Sequence, residues 1–244
     1  MTVSLPPATL AALAEATWPP AQIQPQGPWL IRQGLGGGQR VSAASVMGDW
    51  QDADIPAAES AMRALGQDPL FVLWPDASPH DAALDAALDA RGYQLHDPVV
   101  AYAAPVDTLA DTTPPFLTTF PHWPPLGIAT ALWAESGIGP ARLAVMDRVT
   151  GPKTVILGRT GDRAAGVAFV ATHGPHAMLH ALDVAPALRR QGTARNILRA
   201  AALWARDQGA TTLSLLVTKR NLAASALYTS MNMSVVGQYH YRKL

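Results

Sequence analysis

The chain has 244 residues, 49% of them hydrophobic and only 15% charged, which describes a folded globular protein with enough length for one large domain or two small ones. Lys plus Arg balance Asp plus Glu at 18 each, so no global field recruits nucleic acid or an anionic membrane. The absence of cysteine excludes disulfides, thiolate metal sites and a cysteine nucleophile.

The first twenty residues lack a basic leading segment, and Glu15 interrupts their apolar stretch, so they do not read as a signal peptide. No run approaches the apolar length of a membrane span. A cytoplasmic protein is the expectation. Residues 5–16 predict a short helix, with Pro6 and Pro7 near its start and Leu10, Leu13 and Ala14 at helical spacing. Residues 28–33 and 39–47 read as strands. The glycine run between them, 34–38, leads into a strand pattern rather than a helix, so a hairpin or bulged connection is favoured over a nucleotide loop. Residues 54–65 predict a helix capped by Asp54 with Pro56 in its first turn. A buried strand follows at 69–75, then a helix at 78–93 with Ser78 as cap, Pro79 first and Leu84 and Leu88 four apart. A strand at 98–105 closes this half.

Residues 106–125 hold five prolines and read as a linker between domains. Their aromatic content (Phe116, Phe120, Trp123, with His122) fits packing at the domain interface, or a wall of a substrate cleft. Residues 126–150 predict two helices parted by Gly137–Pro140, with Trp133 a core or pocket residue. A hairpin follows, 153–160 and 163–173 joined through Gly161 and Asp162. Next come a strand at 176–184, the turn Arg189–Ala194, and an amphipathic helix over 191–208 ended by Gly209. Leu213, Leu215 and Val217 share one face of the next strand. Asn221 opens a further helix, and the tail from 233 reads as a two-strand hairpin turning near Gly237.

The turn at 189–194 places unpaired backbone N–H groups and the positive end of a helix dipole together, beside Arg189, Arg190 and Arg195. A phosphate-bearing ligand is the natural expectation. Strand, basic glycine turn, helix, strand and a second helix with Asn221 and Tyr228 together resemble the GNAT superfamily of N-acetyltransferases. Its acyl-CoA signature of Arg or Gln, two residues, Gly, one residue, then Gly or Ala is filled by Arg189, Gly192 and Ala194. Val184 and Pro186 stand where the family's preceding strand ends in V-x-P. The resemblance covers roughly residues 120–244. It implies an α/β (α+β) fold with a mixed, mostly antiparallel sheet flanked by helices. Because residues 1–105 repeat the order strand pair, helix, strand, helix, strand, a tandem form is expected: a degenerate GNAT-like domain at 1–105, a linker at 106–125 and an acetyltransferase domain at 126–244. Aligning Tyr93 with Met233 puts Leu88 where Tyr228 stands, so the first half is expected not to bind CoA.

The resemblance further implies acetyl-CoA as co-substrate, with no metal, held by the backbone of Gln191, Gly192, Thr193 and Ala194 with Arg189 and Arg190. The backbone of Leu182 and Val184 and the side chain of Asn221 would meet the pantetheine arm in a gap between strands. Gly192 is expected to be Gly because a Cβ would block phosphate from the backbone. Tyr228 is placed as the acid for the departing thiolate. Strand alternation puts His176, Met178, His180 and Leu182 on one face and Asp183 on the other; His180 stands where the family often has Glu, as the base for the amine. With no nucleophile in a triad, direct attack by a primary amine in a ternary complex is preferred. The acceptor is expected to be a small amine or amino-acid-like molecule, with no nucleic-acid or membrane partner; a homodimer stays open. The alternative function is a CoA-binding sensor or regulator without turnover.

Overall fold

A computed structural model describes residues 3–244 of the chain. In chain order it contains α1 (Pro7–Thr17), β1 (Gln22–Gln26), β2 (Trp29–Gln33), β3 (Ser45–Val46), α2 (Ile55–Ala64), β4 (Leu70–Leu73), α3 (Pro79–Ala90), β5 (Gln94–Pro105) and the single turn α4 (Val106–Leu109). Then follow β6 (Thr119–His122), α5 (Gly127–Glu135), α6 (Pro140–Arg148), β7 (Lys153–Thr160), β8 (Arg163–His173), β9 (His176–Val184), α7 (Thr193–Asp207), β10 (Thr212–Thr218), α8 (Leu222–Ser230) and β11 (Ser234–Lys243). Among the described residues no helix is long and apolar enough to cross a membrane.

Local chemistry accounts for most boundaries. Pro occupies the first turns of α1, α2, α3 and α6, where its missing N–H has no partner to lose. Ser78 accepts from the His80 N–H at 3.1 Å, and Asn221 from the Ala224 N–H at 3.1 Å. Asp54 does precede α2, but its carboxylate turns back to the Gln51 N–H at 2.8 Å.

The principal sheet has eight strands in the order β4-β11-β5-β10-β9-β8-β7-β6, and β1-β2-β3 form a small separate sheet. All neighbours in the large sheet pair antiparallel except β9 with β10. The expected mixed, mostly antiparallel α/β sheet is therefore present. Its centre holds an exchange between the halves. β5 from the first half lies between β10 and β11 of the second, and β11 lies between β4 and β5 of the first. The registers Gln94↔Lys243 and Ser234↔Ala103 relate the two long strands by a pseudo-dyad. The helix ends obey the same relation. Tyr93 N–H donates to the Leu88 carbonyl at 3.0 Å and Met233 N–H to the Tyr228 carbonyl at 3.1 Å, after left-handed residues Gly92 and Asn232.

Several elements differ from expectation. β11 is one bulged strand rather than a hairpin: Val235 faces Tyr102 and Gly237 faces Ala101, leaving Val236 as the extra residue. Pairing along its whole length with β5 overrides the local turn signal of Gly237. β5 starts at Gln94 for the same reason. Residues 39–47 form a 3-10 turn (Gln39–Val41) and the two-residue β3, and β1 was not anticipated because Pro25 lies within it, as an edge strand allows. β6 lies inside the 106–125 stretch and forms the sheet edge against β7.

One face of the sheet is covered by α7, α8 and α4, with Ile197, Leu198, Ala201 and Ala205 of α7 buried over Leu213 and Leu215. The opposite face packs under α1, α5 and α6, around Trp133, Val145 and Phe169. A third core joins β2 and β4 to α2 and α3 through Trp29, Phe71, Leu84 and Tyr93. α7 can approach β7 and β8 closely because Gly158 and Gly166 lie beneath it: a Cβ on Gly158 would stand 2.7 Å from the Ile197 Cδ1.

Candidate active site

The parallel ladder between β9 and β10 runs from His176↔Thr212 to Leu179↔Leu215 and stops there. Beyond it the strands part. Two cavities meet at the gap. One, of about 600 Å³, is lined by Val184, Arg190, Gly192, Ala194 and neighbours. The other, of about 320 Å³, reaches His180, Trp18 and Arg40. Leu182, Asn221 and Tyr228 line both.

At the outer end, Gly192 holds φ 86°, in the left-handed region, and precedes α7. Nothing lies within 4 Å of where its Cβ would stand. The first N–H of the helix to reach a backbone acceptor belongs to Asn196, on the Gly192 carbonyl at 3.0 Å. Among the described residues, the N–H groups of Gln191 to Arg195 find no acceptor. This turn, the positive helix end and the side chains of Arg190 and Arg195 line a concavity whose chemistry suits an anion. Arg189 lines it too, but turns back: its Nε donates to the Val184 carbonyl at 2.9 Å and its guanidinium stands 3.9 Å from Asp183. It therefore pins the end of β9, and the Val184 carbonyl is spoken for. Thr193 is buried, its hydroxyl bonded to that of Thr160 at 2.6 Å. Gln191 is exposed and does not line the cavity.

Tyr228 is buried at the junction, its ring 5.5 Å from that of Tyr102. Among the described residues no protein group bonds its hydroxyl. Burial, reinforced by Tyr102, pushes its pKa up to about 12.

His180 sits at the inner end, buried between Trp18 (5.0 Å) and Phe169 (6.2 Å). Its Nε2 lies 2.8 Å from the Thr17 hydroxyl, which itself donates to the Leu13 carbonyl at 2.7 Å. Thr17 can then only accept, so His180 carries its proton on Nε2 and offers the Nδ1 lone pair to Arg40 Nη1 at 3.3 Å. Burial first, and Arg40 second, hold its pKa well below the ordinary histidine value.

The expected alternation of β9 fails past His180. Phe169 faces His180 but Val167 faces Asp183, so Ala181 and Leu182 together oppose Ala168, with Ala181 at φ 50°. The bulge turns Leu182 to the α7 side, away from His180, and brings Asp183 to the α5 side, where the Ser136 hydroxyl donates to it. Trp133 belongs to the core and fixes this bulge, its Nε1 donating to the Ala181 carbonyl at 2.8 Å. Phe120, His122 and Trp123 lie along the β7 edge, Trp123 under the Lys153 ammonium at 4.5 Å. Phe116 is exposed. None of these four lines either cavity.

Sequence reasoning missed the inner wall. Trp18, Gly37, Gly38 and Arg40 come from the first half and Arg142 from α6. The one available signal was the glycine run before Arg40. Gly37 passes so close to α6 that a Cβ would stand 2.5 Å from Val145 Cγ2.

Residues 121–233 match the model of the acetyltransferase (GNAT) family. The uncharacterized N-acetyltransferase YobR of Bacillus subtilis (strain 168) is 25% identical over 248 residues, covering 94% of this chain and 95% of that protein. Among solved structures, a GCN5-related N-acetyltransferase from Kribbella flavida is similar with a TM-score of 0.71 at 16% identity, covering 100% of this chain and 96% of that one. A tandem GNAT protein from the clavulanic acid biosynthesis pathway is similar with a TM-score of 0.61 at 13% identity, over 100% of this chain and 89% of that one. At these identities the structural likenesses speak to the fold alone. Residues 121–233 therefore carry the match to the acetyltransferase (GNAT) family, and motif, relative and fold support an acyltransferase of the N-acetyltransferase type.

Proposed function

We propose that the protein moves an acetyl group from acetyl-CoA to the primary amine of a small acceptor, by direct attack in a ternary complex within the cytoplasm. The observation that carries this reading is the continuity of the cleft: an anion cradle at one end, a small cavity at the other, and Tyr228 on both at the point where β9 and β10 part. The N–H groups of Gly192, Thr193 and Ala194 would take the pyrophosphate, with Arg190 nearby and the Gly192 backbone open to phosphate oxygens. Arg189 holds the strand end that forms the cradle's wall. Leu182 and Asn221 flank the path of the pantetheine arm, with Val184 at its entrance.

When bound, acetyl-CoA supplies a thioester whose carbonyl carbon takes the amine nitrogen and whose sulfur departs. Tyr228, with its pKa near 12, keeps its proton through the neutral range and gives it to that sulfur as the C–S bond breaks. Among the described residues no carboxylate lines the inner cavity, so the neutral imidazole of His180 is the group there that can relay a proton from the acceptor ammonium, at Nδ1. His180, whose depressed pKa cannot hold it, passes that proton on to solvent, as the second amine proton also goes, and Tyr228 is reprotonated from solvent.

Free-thiol release with an amine panel, together with calorimetric titration of acetyl-CoA, tests the reading. Tyr228→Phe is expected to lower kcat about 100-fold while leaving acetyl-CoA affinity within about threefold. Gly192→Trp, which fills the cradle, is expected to abolish binding. A parent protein without affinity for acetyl-CoA would overturn the reading.

A further inference from the structure

The inner cavity holds a guanidinium, that of Arg40, for which no carboxylate among the described residues provides a counter-charge. Arg40 sits in the 3-10 turn Gln39–Val41, carried over the cleft by the glycine run that packs on α6. Its Nε donates to the Tyr239 hydroxyl and its Nη1 to His180 Nδ1, both at 3.3 Å. Neither acceptor is a carboxylate and both contacts are long; the Tyr241 hydroxyl stands 3.4 Å from that of Tyr239. Arg32, Arg199 and Arg242 each pair with a carboxylate within 3.0 Å. Among the described residues no carboxylate comes within 4.0 Å of Arg40, and no Asp or Glu lines the cavity. Behind Arg40 is a further cavity of about 290 Å³ with two carboxylates, Glu15 and Asp81. Both are committed elsewhere, Glu15 to Arg32 at 2.6 Å and Asp81 to the Trp74 N–H at 2.8 Å. Arg142, exposed at the mouth of the acceptor cavity, adds a second cation without a carboxylate partner.

Arg40 is half-buried, and a guanidinium partly removed from water with no carboxylate beside it gains from an anion that completes it. Its planar fork matches a carboxylate in two parallel hydrogen bonds. We infer that the acceptor is a small amine bearing a carboxylate, and that Arg40 is the residue that reads this carboxylate. This deepens the acetyl-transfer reading above and rests on it. The cavity, at about 320 Å³, has room for roughly ten water-sized groups, the scale of an amino acid. Because Arg40 also touches His180, a carboxylate seated on it places the attached amine beside the imidazole. The same carboxylate competes for Nη1 and so releases Nδ1 to take the amine proton. Specificity for the acceptor thus comes from the half that lacks the CoA-binding turn.

The test pairs the standard α-amino acids, β-alanine and 4-aminobutyrate with their carboxamides. Thiol release from acetyl-CoA is followed on the parent, Arg40→Gln and Arg40→Lys. Calorimetry measures acetyl-CoA binding to all three, and binding of the best acid to each protein saturated with free CoA. In the parent, at least one acid is expected to exceed its carboxamide about 30-fold in kcat/KM, as a charge-assisted pair supplies. Arg40→Gln should bring that ratio within about threefold, mainly through KM, and weaken acid binding in parallel; Arg40→Lys should keep an intermediate preference. Acetyl-CoA affinity should stay unchanged in both variants, which shows that they fold. Equal rates for acid and carboxamide, no turnover of any acid by a parent that binds acetyl-CoA, or a ratio that survives Arg40→Gln would each overturn the assignment alone. A parent that does not bind acetyl-CoA would remove the acetyl-transfer reading, and this inference with it.

Discussion

His180 ties α1, the first half's Arg40 and the bulged strand β9 together through one imidazole. Its neutrality has a consequence for stability. Its folded pKa lies well below the ordinary value, because burial and then Arg40 disfavour the charged ring. The unfolded chain takes up that proton below about pH 6.5 while the folded chain resists it. The contribution of His180 is therefore full above that value and is lost as pH falls toward its folded pKa. Urea unfolding at a series of pH values should show stability falling less steeply below about pH 6.5 in His180→Gln than in the parent. Parallel slopes would contradict the buried, neutral assignment. At this scale the sequence was informative where signals are local: Asn221 caps its helix and Tyr228 reaches the cleft, while the left-handed φ of Gly192 is a second demand for glycine beside the open approach expected there. Arg40 was not legible, because its partners lie 140 and 199 positions away.

The turn into α7 and the bulge in β9 are the two elements that shape the cleft. The first could be read because strand, glycine turn and amphipathic helix follow one another directly. The second could not. Which residue of β9 is extra depends on its register with β8 and on the Trp133 indole reaching the Ala181 carbonyl, and alternation alone assigned Leu182 and Asp183 to the wrong faces. Gly166 sits under this region: a Cβ there would lie 2.7 Å from the Asp183 carbonyl oxygen and 3.2 Å from Ile197 Cδ1. Gly166→Ala must shift backbone rather than a side-chain tip. It is expected to destabilise the fold by about 1–3 kcal/mol, as overpacking does, read from the urea midpoint. A change under about 0.5 kcal/mol would mean that the strand end yields freely.

For the molecule as a whole, the decisive feature is the reciprocal exchange of β5 and β11. The repeat of elements in the first 105 residues suggested two halves, and that much is visible in the matched helix ends at Tyr93 and Met233. The exchange was not visible, since nothing local in β5 tells it to pair with residues more than a hundred positions on. It leaves neither half with a complete sheet: without β5, β10 and β11 have no contact in the ladder, and without β11, β4 keeps only its bridge to Ala44. The cleft repeats this dependence, with the larger cavity lined by the second half and Trp18 and Arg40 of the inner wall in the first. The most direct measurement is to produce 1–105 and 106–244 as separate polypeptides, and to follow unfolding and acetyl-CoA binding for each alone and for the mixture. Each alone should lack a cooperative transition and bind no acetyl-CoA, and mixing should restore both properties. A fragment 106–244 that unfolds cooperatively and binds acetyl-CoA by itself would contradict the account of one sheet and one cleft built by both halves.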